Sequence, residues 1–159
     1  MKIGIGYDIH RLVKGRKLFL GGVRVPSKKG LLGHSDADVI LHAVCDALLG
    51  AMGTGDIGLL FPNTDRKYKN ISSLVLLKRV AGLLKKNSFR VGNIDVMLLL
   101  EAPEIGRYRE TMKAHISKAL GIGISQVSLK ATTNEGTGDI GKGKACAAYA
   151  VVLIKKEKP

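Results

Sequence analysis

The chain has 159 residues, 45% of them hydrophobic, which is enough to bury the core of one compact domain. Lys and Arg number 26 against 13 Asp and Glu, and the resulting +13 charge favours polyanions, yet aromatics at 4%, no Trp and no helix-turn-helix, RNP-like or zinc-finger spacing argue against nucleic acid. No apolar run reaches the ~18 residues of a membrane span and the chain opens straight into strand-like sequence, so a cytoplasmic protein without a membrane partner is expected.

Residues 2–10 are β-prone, and 17–25 read as a further strand or hairpin broken at Gly21 and Gly22. A loop over 26–33 leads into a helix over 36–50, with Ser35 placed to cap it and Gly50, Gly53 and Gly55 to stop it. Residues 54–69 read as an ordered loop. Apolar residues at helical spacing predict helices over 72–86 and 107–120. Val-, Ile- and Leu-rich runs predict strands over 89–101, 126–133 and 145–155. Two basic stretches, 11–33 and 66–90, hold no acid and read as solvated surface. Cys45 and Cys146 stand apart without a C-x-x-C pairing and are expected as free thiols of a reducing compartment. The element order predicts an α+β fold in one domain, 1–159: a two-layer sandwich of a mixed β-sheet covered by helices on one face.

Two glycine motifs mislead. Gly4-Ile5-Gly6 lacks the third glycine and the following helix of a dinucleotide fingerprint, so a tight strand is the better reading. The segment 136–142 (GTGDIGK) has P-loop spacing, but Gly143 stands where Ser or Thr should hold magnesium and a strand follows instead of a helix. What remains is a Gly-rich loop with backbone amides and Lys142 free to meet a phosphate, or a plain turn.

Chemistry concentrates elsewhere. Asp8 and His10 are two apart on a strand, so both leave the same face. Asp38, His42 and Asp46 recur every four residues along a helix that is otherwise apolar nearly all round. Buried ionisable groups cost several kcal/mol without partners, so this stripe must meet a metal, a ligand or a complementary network. Two histidines and one carboxylate, Asp8, His10 and His42, match the ligand count of a catalytic Zn²⁺ site with an open position, though another divalent ion suits the same donors. Asp46, one turn beyond His42, is placed to hold the second ring nitrogen, or to make an ordinary ion pair, and Asp38 belongs to the same outer shell. His34 and Ser35, just before the helix, read as phosphate contacts. Thr132, Thr133 and Glu135 follow a strand end beside the Gly-rich loop and suit a hard cation such as Mg²⁺ or Mn²⁺, or form a turn without chemistry. His115 reads as surface.

The runs GIGYDIHRL, GHSDADVILHAVCDALLGAMGTGDIGLLFPNTD, EAPEI and KATTNEGTG, in this order and spacing, resemble the 2-C-methyl-D-erythritol 2,4-cyclodiphosphate synthases of the non-mevalonate isoprenoid pathway along essentially the whole chain. The resemblance implies a homotrimer with active sites between subunits and a cytidine diphosphate-linked substrate, 4-diphosphocytidyl-2-C-methyl-D-erythritol 2-phosphate. It implies that Asp8, His10 and His42 hold zinc, that Glu135 helps place magnesium, and that His34 and Thr133 stabilise the transition state. Ser35, Asp56, Ile57, Gly58, Phe61, Pro62, Asn63, Thr64 and Asp65 would bind the methylerythritol phosphate. Leu100, Glu101, Ala102, Pro103, Glu104, Ile105 and Gly106, with Ala131 and Thr132, would hold the cytidine end, and Asn134, Asp139 and Lys142 complete the substrate contacts. Asp139, Lys142 and Lys144 depart from the residues usual in this family and leave the metal ligands intact.

Overall fold

The protein is described here as a computed structural model covering residues 1–157. In chain order the strands are β1 (Lys2–Lys14), β2 (Leu18–Leu20), β3 (Val23–Val25), β4 (Lys29–Leu31), β5 (Phe89–Leu99), β6 (Val127–Thr132) and β7 (Ala145–Lys156). The helices are α1 (Val39–Met52), α2 (Ile57–Leu60), α3 (Ser73–Lys86), α4 (Arg109–Leu120) and α5 (Gly138–Gly141). Five strands form one sheet in the order β4-β1-β7-β5-β6, with β5 and β6 parallel and the other neighbours antiparallel, while β2 and β3 make a separate hairpin. Helices α1, α3 and α4 pack together over one face of this mixed sheet, as an α+β sandwich requires. No helix among the described residues is long and apolar enough to cross a membrane.

Side-chain alternation along β1 decides which residues meet the helices. Gly4, Gly6, Asp8, His10 and Leu12 face α1, whereas Ile3, Ile5, Tyr7 and Ile9 point the other way and stay exposed. Gly4 and Gly6 are required by the closeness of α1: a Cβ on Gly4 would lie 1.9 Å from the Ala47 carbonyl oxygen, and one on Gly6 would lie 2.0 Å from that of Ala43. The two glycines therefore seat the alanine face of the helix on the strand and bind no nucleotide. Because Gly6 meets Ala43 and Gly4 meets Ala47, α1 runs against β1, and its first turns lie over Asp8 and His10.

Several boundaries differ from expectation. β1 continues to Lys14, β4 occupies part of the 26–33 loop, α2 and a short 3-10 turn (Arg66–Tyr68) lie within 54–69, and α5 lies in the Gly-rich segment. Helix α1 starts at Val39, and its cap is Asp38, whose carboxylate accepts from Leu41 N at 3.2 Å. Ser35 does not cap it; its hydroxyl accepts instead from Ala37 N at 3.0 Å. The physical reason is Ala37, which sits at φ 58 and turns the chain between the serine and the helix. Gly53, left-handed at φ 76, ends the helix by donating to the Gly50 and Leu49 carbonyls.

Candidate metal and phosphate site

Three side chains from two elements converge where α1 crosses β1. Asp8 Oδ2 lies 2.9 Å from His42 Nδ1 and 3.1 Å from His10 Nε2, and the two ring nitrogens are 3.3 Å apart. A tetrahedral zinc with bonds near 2.0 Å has ligand-to-ligand edges of roughly 3.3 Å, so these separations fit one shared cation with little adjustment. Among the described residues this is the one cluster of three such ligands. Burial alone raises the Asp8 carboxyl, but hydrogen bonds from both imidazoles outweigh it and hold the group well below the usual carboxylate range. Burial lowers His42, and the hydrogen bond and charge of Asp8 outweigh it, leaving the ring above its ordinary value of 6.5. The cluster therefore already carries the charge pattern that a cation would replace: a carboxylate anion with a proton shared toward it.

The remaining polar residues of α1 do other work. Asp38 is fully buried and accepts from Gly21 N at 2.9 Å and Gly22 N at 2.7 Å as well as from Leu41, so it ties the β2–β3 turn to the helix start and does not face the metal ligands. Burial pushes its carboxyl up to about 6 against the pull of those amides. Asp46 accepts from Ile57 N at 2.7 Å and does not hold the second nitrogen of His42. That nitrogen, Nε2, lies 2.9 Å from Ser73 Oγ and 3.1 Å from Ser35 Oγ. Helical spacing does not show either fact, because Asp38 precedes the first helical residue and the amide that bonds Asp46 comes from α2.

A cavity of about 490 Å³ opens beside the ligands, lined by Asp8, His10, His34, Ser35, His42, Ile57, Gly58, Phe61, Pro62, Asn63 and Thr64. Gly33, Tyr68, Ile71 and Leu76 complete the lining and were not among the expected residues; their apolar type gives no chemical signal in sequence. His34 Nε2 is 3.3 Å from the Asp65 carbonyl oxygen, and the loop bearing His34 and Ser35 is tied down by Arg16, which donates to the carbonyls of Leu31, Gly33 and Ser35 at 3.0, 3.3 and 2.9 Å. Asp56 caps α2 through Leu59 N, and Asp65 pairs with Lys67, so both flank this cavity without lining it.

A second cleft lies at the ends of β5 and β6, lined by Leu100, Glu101, Pro103, Glu104, Ile105, Gly106, Ala131, Thr132 and Thr133, with Arg109 added by the first turn of α4. Thr133 Oγ1 donates to Glu135 Oε1 at 2.5 Å, and the Glu101 carboxylate accepts from Asn134 N at 3.0 Å and Gly136 N at 3.3 Å. Glu101 thus shapes the loop that presents Thr133 and Glu135. Ala102 lies apart, in a groove with Lys28 and Lys29, and Asp139 and Lys142 are exposed around α5, outside either cavity. His115 is half-buried against the β2–β3 turn, where a Cβ on Gly22 would lie 3.1 Å from its Nδ1, so it is not the surface residue expected. Cys45 and Cys146 are free and buried, and burial raises both thiols.

The chain is 57% identical over 155 residues to the 2-C-methyl-D-erythritol 2,4-cyclodiphosphate synthase of Chlorobium phaeobacteroides, with 98% of each chain covered. Its fold matches the bifunctional IspDF of Campylobacter jejuni at a TM-score of 0.95 and 36% identity, spanning 99% of this chain and 42% of that one. It also matches IspF of Plasmodium falciparum, solved as a CDP complex, at a TM-score of 0.87 and 36% identity over 99% of this chain and 97% of that one. The YgbB family model matches residues 1–155, and the chain belongs to that family of 2-C-methyl-D-erythritol 2,4-cyclodiphosphate synthases.

Proposed function

We propose that this chain, acting as a single cytoplasmic domain repeated in a homotrimer, is a metal-dependent phosphorus-oxygen lyase that converts 4-diphosphocytidyl-2-C-methyl-D-erythritol 2-phosphate to 2-C-methyl-D-erythritol 2,4-cyclodiphosphate. An oxygen of the 2-phosphate forms a bond to the β-phosphorus, the bond from that phosphorus to the bridging oxygen breaks, and cytidine monophosphate leaves with the electron pair. No general base is needed, because the nucleophile is already an anion. The convergence of Asp8, His10 and His42 on one point carries the reading.

Zn²⁺ held by those three residues, and Mg²⁺ or Mn²⁺ on the diphosphate beside Glu135, would supply Lewis-acid polarisation and charge neutralisation. The protein's own groups do the positioning. Ser35, held by the Arg16-braced loop, and the 61–64 loop enclose the polyol phosphate end beside the ligands. His34 and Thr133 are offered to the phosphoryl oxygens, and the Thr133 hydroxyl, which donates to Glu135 in the metal-free protein, would turn its hydrogen to the phosphate once a divalent ion takes up the Glu135 carboxylate. Leu100, Glu101, 103–106 and 131–133 line a cleft suited to a cytidine, in line with the CDP found in the Plasmodium relative.

Two observations favour the trimer. β1 and β6 are separated by β7 and β5, three strand spacings or roughly 14 Å, and the two cavities share no lining residue, so one chain offers two half-sites. The sheet face opposite the helices is apolar and bare: Ile3, Ile5, Tyr7, Ile9, Tyr149 and Val151 are 43–72% exposed there, and Tyr7 stacks on Tyr149 at 4.6 Å. A patch of this kind on an antiparallel sheet calls for a partner surface, and a second and third copy would bring the half-sites together. The deciding experiment incubates protein, Mg²⁺ and the diphosphocytidyl substrate and follows cytidine monophosphate release and cyclic diphosphate formation by ³¹P NMR. Turnover of cytidine triphosphate or nucleic acid alone would end the assignment.

A further inference from the structure

The three metal-facing groups account for one nitrogen of His42, and the other meets Ser35 and Ser73, the second of which lies outside the run that carries His42. Ser73, the first residue of α3, is fully buried, and its Oγ lies 2.9 Å from His42 Nε2. Its hydroxyl donates to Asp36 Oδ1, and its backbone N–H donates to Asp36 Oδ2 at 3.0 Å. Asp36 is fixed opposite Ser73 by the backbone: Asp36 N donates to the Ile71 carbonyl at 3.0 Å, and Asn70 N donates to that of His34 at 2.8 Å. The N-cap of α3 is the neighbouring Ser72, so Ser73 is free of the capping role its position suggests.

A hydroxyl has one hydrogen. Ser73 spends it on Asp36, so toward His42 its oxygen can only accept, and Nε2 must carry a proton. When a cation displaces the Nδ1 proton that the metal-free ring shares with Asp8, Nε2 keeps its own, so Nδ1, the nitrogen facing Asp8 and His10, is the atom whose lone pair meets the cation. Ser35 Oγ, 3.1 Å from the same Nε2, already accepts from Ala37 N and reinforces the tautomer without needing to donate to the ring. The negative end of the chain is Asp36, whose charge reaches the ring through the serine and makes Nδ1 a better donor.

We infer that Ser73 and Asp36 are positioning residues for the metal site, forming an Asp36–Ser73–His42 relay that fixes the His42 tautomer and strengthens its bond to the divalent ion. This rests on the metal reading proposed above for Asp8, His10 and His42. Neither residue touches substrate; both act through the imidazole. The site therefore spans three elements, with α3 contributing through a residue 31 positions beyond His42.

The test uses the full-length protein stripped of metal and titrated with Zn²⁺ against a chromophoric chelator, alongside ¹⁵N NMR of the metal-free histidines. For wild type, one Zn²⁺ per chain and a protonated Nε2 on His42 are expected. Ser73→Ala should keep its fold by circular dichroism, weaken Zn²⁺ about 10–100-fold, as loss of an outer partner does, and let His42 sample both tautomers. Asp36→Asn, nearly isosteric and on a half-buried residue, should give a smaller loss in the same direction and stands in if Ser73→Ala does not fold. Wild-type Zn²⁺ affinity in both folded variants, with His42→Ala losing the ion, would overturn the relay alone. Absence of Zn²⁺ binding in wild type, or binding unaffected by His42→Ala, would overturn the metal reading and the relay with it.

Discussion

The Asp8–His10–His42 corner and the cleft at the ends of β5 and β6 are built in opposite ways. At the corner, Asp8, His10 and His42 are each less than a quarter exposed, held by a strand and a helix pressed together through glycine-to-carbonyl contacts. At the cleft, Thr132 ends β6, and Thr133 and Glu135 are exposed on the following loop, whose shape depends on amides bonded to Glu101. A site set in packed secondary structure keeps its geometry without ligand, whereas one set on a loop can be finished by the substrate or by a neighbouring subunit. The corner is thus preformed and the cleft adaptable.

The strongest way to break this contrast is at the corner. His42→Ala should abolish turnover while circular dichroism and thermal melting report a folded protein, and a chelator should do the same reversibly, with Zn²⁺ restoring activity. Near-wild-type rates in metal-replete buffer would show that the cluster is ornamental. Gly6→Ala attacks the same corner through packing: its Cβ would overlap the Ala43 carbonyl, and a loss of about 3 kcal/mol or more in urea unfolding is expected. Thr133→Ala probes the adaptable cleft and should lower kcat by about 100-fold with little change in KM, as the loss of a donor used in the transition state does. A change confined to KM would move Thr133 into substrate binding.

The smallest effect is one of pH. The raised folded-state pKa of His42 means that this group favours the metal-free fold below its unfolded value of 6.5 and that the benefit is lost as pH rises through the folded value. Zn²⁺ competes with that proton, so its affinity should rise over the same interval. Opposite slopes for the metal-free and Zn²⁺-loaded proteins, measured by thermal melts at several pH values, would sharpen the assignment, and parallel slopes would contradict it.

Much of the corner was legible because buried charge is expensive. A carboxylate and two histidines amid apolar sequence announce a partner, and strand and helix periodicities say which side chains share a face. The same reasoning misplaced Asp38 and Asp46, since periodicity gives direction along a helix and nothing about which loop amide arrives there first. Gly21 and Gly22 claimed Asp38, and Ile57 claimed Asp46. Apolar wall residues such as Tyr68 and Leu76 are indistinguishable in sequence from any other core residue.

By itself, then, the sequence determined the alternation that turns Asp8 and His10 toward the helix, the small residues that let strand and helix touch, the donor set of the metal corner and the α+β order of elements. Tertiary structure alone decided that Asp36 and Ser73 line up behind His42, that Arg16 braces the loop of His34 and Ser35, and that the cavity beside Asp8, His10 and His42 lies apart from the cleft at the ends of β5 and β6. Local periodicity is a property of the chain within a few residues, but a hydrogen bond between positions 31 apart exists only once the sheet, its covering helices and the loops between them have closed.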